Sequence, residues 1–213
     1  KSNARNAFLF CSSNSSNTEQ KEISKYQYAK LSYELGYQDE ALNSLSAFLA
    51  DYPSSTYNAE AKELMIDMLT NTNNYKDAQA LLEALDKPSE NAKRLYPRIL
   101  YGRATELIND GRLAEADAML DKALADKNNG SVLPLLNFWK GELAYRNNKL
   151  DDAIKYYHEY VNGGSPISGE ANANNVRYNL GYSYLRKENY SVAVTYFEPF
   201  SGNPSLSSNS FTQ

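Results

Sequence analysis

One small residue sets the scale of this chain. Ala4, Ala41, Ala78, Ala116, Ala153 and Ala193 follow one another at intervals of 37, 37, 38, 37 and 40 residues. Four positions after each stands a large apolar side chain: Phe8, Leu45, Leu82, Leu120, Tyr157 and Phe197. Four residues is about one helical turn, so the small and the large member of each pair share a helix face. A period of this length points to a row of stacked helical hairpins rather than to one globular core.

A second small residue precedes most of these alanines by twelve positions: Ala29, Ala104, Gly141 and Gly181, with Ile66 breaking the rule. A helical glycine costs roughly 1 kcal/mol relative to alanine, so Gly181 reads as a close-packing device where two antiparallel helices meet. Ile66 is expected to widen its hairpin or shift its register. Polar turns at Asp110-Gly111, Asn147-Asn148-Lys149 and Lys187-Glu188-Asn189-Tyr190 separate the two helices of a unit. Gly163-Gly164-Ser165-Pro166 stops a helix, because proline cannot continue the hydrogen-bond ladder. The units fall at about 22–53, 59–88, 97–128, 134–164 and 174–203. Residues 1–13 read as the second helix of a pair whose first is missing, since Ala4, Phe8 and Cys11 repeat the phase of Ala41, Leu45 and Phe48. The polar tail from Gly202 to Gln213 ends inside what should be a connection, so both ends read as cuts through a longer array. The links, including 89–93, lack strand-like alternation, and nearly all ordered structure should be helix.

Composition bounds the partners. The 22 basic and 26 acidic side chains leave a net charge of −4, which gives no electrostatic footprint for nucleic acid and no polybasic patch for lipid. No apolar run approaches the eighteen or so residues that span a bilayer. Cys11 is the single cysteine, so an internal disulfide is impossible, and it reads as a packing residue. Catalysis has little to work with: His158 is the only histidine, on a second helix beside Tyr157 and Tyr160. No glycine-rich phosphate loop, zinc-binding helix or nucleophile elbow is present. We expect no enzyme, no cofactor and no metal site. Glu60, Glu63 and Asp67 share a helix face but read as solvated charge. Asp39-Glu40, Asp151-Asp152 and Ser191 read as caps of second helices. Asn14, Asn129 and Asn189 match the N-glycosylation spacing, which arises easily in a chain rich in Asn and Ser.

The pairing of a small residue in one helix with another twelve positions later and a large residue four beyond resembles the tetratricopeptide repeat family. Gly141, Ala153 and Tyr157, and Gly181, Ala193 and Phe197, carry the resemblance, with Trp139 near the family's aromatic position and Pro53 at its exit proline. It covers essentially the whole chain, although units of 37 to 40 residues exceed the family's usual 34. Phrases such as Tyr28-Ala29-Lys30-Leu31-Ser32-Tyr33 also resemble tandem tetratricopeptide proteins of Bacteroidetes, which implies a cell-envelope or periplasmic location.

The family resemblance implies an all-α, right-handed superhelical solenoid of antiparallel helix pairs, with first helices lining a concave groove. The family's groove positions map onto Tyr26, Tyr33, Arg98, Tyr101, Phe138, Glu142, Tyr145, Arg146, Tyr178, Tyr182 and Arg186. Tyrosine and arginine combine large contact area with oriented donors, which suits a non-enzymatic scaffold holding a peptide or protein segment in its C-terminal half. The alternatives are a structural spacer whose contacts run end to end through further repeats, and a module binding glycan or another small ligand.

Overall fold

The computed structural model describes residues 1–201; the tail from Gly202 lies outside the described residues. Eleven α-helices follow one another among the described residues as sequential antiparallel pairs, as expected of the all-α class. They are α1 Ser2–Asn14, α2 Thr18–Glu34, α3 Gln38–Asp51, α4 Asn58–Asn71, α5 Tyr75–Glu83, α6 Glu90–Asn109, α7 Leu113–Leu124, α8 Leu133–Arg146, α9 Leu150–Asn162, α10 Ala173–Arg186 and α11 Tyr190–Phe197. One isolated antiparallel bridge joins Ser168 and Ala171 between α9 and α10.

The chain forms two compact units, one of Lys1–Ile99 and one beginning at Leu100. In the first, Ala29, Ala41, Leu45 and Phe48 are sealed from solvent together with Tyr26 and Ala61. A second cluster joins Ile66, Leu69, Ala78, Leu82, Ala92 and Ile99. In the second unit, Ala104, Ala116, Leu120, Leu136, Ala153, Tyr157, Tyr160, Val176, Leu180 and Ala193 are buried. The periodic alanines thus sit at the helix contacts, where their size permits close approach. Ala4 is the exception, being exposed, while Phe8 and Cys11 are only half-buried. Helix α1 buries no residue fully, because only α2 packs on it along most of its length.

Each pair is joined by the same backbone device. Gly36, Asn73, Gly111, Asn148 and Glu188 all take positive φ, between 59° and 83°. Each stands five residues before a periodic alanine. The next residue's N–H reaches back five positions to a carbonyl: Tyr37 to Ser32, Asn74 to Leu69, Arg112 to Leu107, Lys149 to Ala144 and Asn189 to Tyr184, at 2.8–2.9 Å. This six-to-one bond with a left-handed residue is the Schellman termination, and it reverses the chain with few residues.

Two expectations needed correction. Helix α6 begins at Glu90 and runs through Pro97, so the stretch 89–93 is mostly helix rather than link. Pro97 removes one ladder bond, yet burial of Ala92 on one side of it and Ile99 on the other holds the helix together. The Ala92 N–H is also satisfied by Ser89 Oγ at 3.2 Å, a side-chain cap at the helix start. The capping assignments changed too. Side-chain caps come from Asn17, Asn172 and Asn189, which accept from the N–H groups of Gln20, Asn175 and Val192. Asp39, Glu40, Asp151 and Asp152 instead lie inside first turns, where their charge complements the helix dipole. Ser191 turns its hydroxyl to Asn189 Oδ1.

Candidate functional site

In the second unit, α8 and α10 present aromatic rings and guanidinium groups together. The Arg186 guanidinium lies over the Tyr145 ring, 5.1 Å from its centroid, and donates to Asn148 Oδ1 at 2.7 Å. Tyr178 and Tyr182, one turn apart on α10, have ring centroids 4.7 Å apart, and both contact Phe197 edge-on at 5.9 and 5.3 Å. Burial and then a hydrogen bond with Tyr182 push the Tyr178 phenol up to about 12, with Tyr145 adding to the shift. All four of these tyrosine and arginine positions are half-buried or exposed, so the rings are fixed while part of each stays open.

Beneath them lies Glu142. Its Oε1 accepts from the Tyr157 hydroxyl at 2.8 Å and from Asn179 Nδ2, and Asn179 Nδ2 also reaches the Tyr157 oxygen at 3.3 Å. The triad ties α8, α9 and α10 together. Gly141 makes it possible: a Cβ there would stand 2.7 Å from Cδ1 and Cε1 of Tyr157, so only a glycine lets the ring lie flush and carry its hydroxyl to Glu142. Burial raises the Glu142 carboxyl above its ordinary value, against the pull of Tyr157, Arg146 and Asn179. The same burial, with Glu142 beside it, drives the Tyr157 phenol far up, so it stays protonated and donates.

The remaining candidates divide by exposure. Arg146 is exposed, and Tyr101 is half-buried on α6. Phe138 is 1% exposed, packed against Trp139 and Tyr160 at 5.2 and 5.7 Å, and Tyr26 is likewise 1% exposed. Both rings belong to the core. Tyr26 stacks on Tyr57 at 4.6 Å, and burial followed by the Glu60 carboxylate pushes its phenol up. Tyr33 is half-buried and donates to the Asp67 carboxylate; that bond, then burial, raises it to about 12. Arg98 is exposed. The first unit therefore ties its candidate tyrosines into internal contacts, whereas the second leaves Tyr145, Tyr178 and Tyr182 partly open.

The acidic face of α4 is also committed. Glu60 bonds Lys30 at 2.7 Å, which first among its neighbours holds its carboxyl below the usual range. Glu63 accepts from the Ser89 N–H at 2.7 Å, and Asp67 from Tyr33. No group of three His, Cys, Asp or Glu suited to a metal ion occurs among the described residues. His158 Nε2 lies 3.5 Å from the Tyr184 hydroxyl, half-buried in helix packing. Lys140 is buried between Asp117 and Asp121 at 2.6 and 2.7 Å, linking α7 to α8. No helix among the described residues is long and apolar enough to cross a membrane. Asn179 and Tyr157 escaped the sequence reading as site residues, since Glu142 and Asn179 are 37 residues apart and meet only when neighbouring pairs stack.

Comparison with known proteins finds one family-model match and several structural likenesses. Residues 101–166 match the tetratricopeptide repeat family model. Among solved structures, YrrB, described as a tetratricopeptide protein with an unusual peptide-binding site, is 19% identical, with 88% of this chain and 91% of that one covered at a TM-score of 0.54. A crystal structure of MamA is 16% identical, covering 85% and 90% of the two chains at a TM-score of 0.53. Another MamA structure, AMB-1, is 12% identical, covering 89% and 97% at 0.52. The search of curated proteins gave no match. Residues 101–166 thus match the tetratricopeptide repeat family in sequence, and the helix pairs of this chain share the fold of solved tetratricopeptide structures.

Proposed function

We propose that this protein is a non-enzymatic interaction scaffold, and that the α8–α10 face of its second unit holds a peptide or protein segment. The observation that carries this reading is the arrangement of Tyr145 under Arg186 beside the Tyr178–Tyr182 pair, rings fixed by packing yet partly open. Pre-positioned aromatic and arginine side chains lose little freedom on binding, which is why they dominate interface energetics. The peptide-binding site named for YrrB supports the class of ligand, at the distance of a shared fold. Within the second unit Tyr101 and Arg146 offer further polar contact, whereas Phe138, and Tyr26 and Tyr33 of the first unit, act through packing and internal bonds. With this reading goes an extracytoplasmic location, which rests on the resemblance to Bacteroidetes repeat proteins alone.

The test is partner capture from the source cell with the wild type and with Tyr145→Ala/Arg186→Ala. Loss of a specific captured protein, with the thermal unfolding profile retained, supports the face as the binding surface. Unchanged capture would move binding elsewhere on the molecule.

A further inference from the structure

The α8–α10 face has a polar floor whose hydrogen bonding is half complete. Both internal donors, the Tyr157 hydroxyl and Asn179 Nδ2, converge on Glu142 Oε1. Oε2 receives neither. Asn179 spends its amide nitrogen on Glu142 and Tyr157, which leaves its Oδ1 as a second acceptor with the amide already oriented. Two oriented acceptors are therefore left over, on residues that are half-buried rather than sealed. Acceptors held in place and still reachable favour a ligand that brings donors.

The carboxylate and the neighbouring phenol rings narrow the donor to a charged one. The Tyr145 hydroxyl is near enough to Tyr157 and Tyr178 to raise both phenols. Phenol rings favour cations electrostatically, and Tyr145 already carries the Arg186 guanidinium. Arg146, one turn along α8, lends its charge to the ionised form of Glu142. Resting on the peptide-binding reading above, we propose that Glu142 and Asn179 form a subsite for a basic side chain, Lys or Arg, of the bound segment, and that Glu142 sets this preference. Arg146 and Arg186 oppose a second cation nearby, so the carboxylate is what makes a basic residue acceptable at this place. Without its charge, the same face should prefer acidic segments.

Glu142→Gln separates the outward role from the inward one. Glutamine keeps a carbonyl oxygen for Tyr157 and Asn179 and replaces the outward acceptor with a donor. The experiment is selection of a displayed random dodecapeptide library on the wild type and on E142Q, both checked by circular dichroism. We expect the wild type to enrich sequences with Lys or Arg at a fixed position, and E142Q to lose that enrichment and turn toward Asp and Glu. On the wild type alone, replacing that basic residue of an enriched peptide by norleucine should weaken binding roughly tenfold. Enrichment of peptides without a basic position, or a norleucine peptide bound equally well, overturns the subsite and leaves the peptide-binding reading standing. A wild type that enriches no peptide overturns that reading itself.

Discussion

The ring of Tyr157 lies where a side chain on Gly141 would begin: a Cβ there would be 2.7 Å from two ring carbons and 3.2 Å from a third. Gly181 stands in the same relation to Phe197, 2.7 Å from Cε1 and Cζ. The glycine of the first helix and the aromatic of the second are one fitted contact, repeated in consecutive pairs. Alanine at either glycine gains about 1 kcal/mol of helix propensity and loses the fit. Tyr157 is fully buried and held at its hydroxyl, so it has no room to yield, whereas Phe197 is half-buried. Gly141→Ala should therefore destabilise by about 1–3 kcal/mol net and Gly181→Ala by less, read from chemical denaturation. Equal effects at the two sites would contradict this account of the contact.

The repeated left-handed turn residue gives a stabilising substitution. Glu188 takes φ of 59°, a conformation that costs a residue with a Cβ roughly 1–2 kcal/mol, where two other pairs use Gly36 and Gly111. Glu188→Gly should raise stability by about 0.5–1 kcal/mol after the greater unfolded-state freedom of glycine is deducted. Thermal unfolding of the single variant checks it, and a lowered midpoint would be the contrary result.

Helix α1 depends on one side chain. The Arg5 side chain, 12% exposed, donates to Ser32 Oγ at 2.8 Å and Tyr28 Oη at 3.0 Å, pairs with Glu40 and lies over the Tyr28 and Tyr37 rings. A planar fork serves these partners together, and an ammonium cannot. Arg5→Lys should accelerate amide exchange throughout α1 while leaving α8–α11 unchanged. Unaltered protection in α1 would show that its modest apolar contacts with α2 suffice.

Glu142 predicts a pH dependence of definite sign. Its folded-state pKa is raised, burial being the largest cause, so the native protein binds this proton more readily than the unfolded chain. The associated stability is complete below the ordinary carboxyl range and is lost as pH climbs through the raised folded value. Glu142→Gln removes the titration. The thermal midpoint of E142Q relative to wild type should therefore rise from about pH 4 to about pH 8. Parallel curves would mean that Glu142 titrates as an ordinary surface carboxyl.

What could be read from the sequence was what depends on side-chain size at fixed spacing. Ala41, Ala78, Ala116, Ala153 and Ala193 marked the contact inside each of the five pairs, where they are buried and their small size lets the helices approach. The turns were legible at Asp110-Gly111, Asn147-Asn148-Lys149 and Lys187-Glu188-Asn189-Tyr190, but the left-handed backbone they share was not, because at Glu188 it falls on a residue that disfavours it. The passage of α6 through Pro97 was not legible, because the burial of Ala92 and Ile99 around it is a tertiary effect. Tyr26 and Phe138 were assigned to the open face from motif position, but one residue turns a helix by about 100°, enough to move a ring from face to core. The Glu142–Asn179–Tyr157 triad draws on three helices, and no single repeat contains its pattern.

The central claim is that a partner segment lies on the α8–α10 face, and photo-crosslinking in the source cell tests it most directly. Benzoylphenylalanine at Tyr182 places a crosslinker on that face, and the same group at Glu159, exposed on α9, serves as control. The account predicts a discrete crosslinked partner from position 182 that vanishes with Tyr145→Ala/Arg186→Ala, and none from 159. Crosslinking from 159 alone, or from 182 regardless of those substitutions, would contradict it.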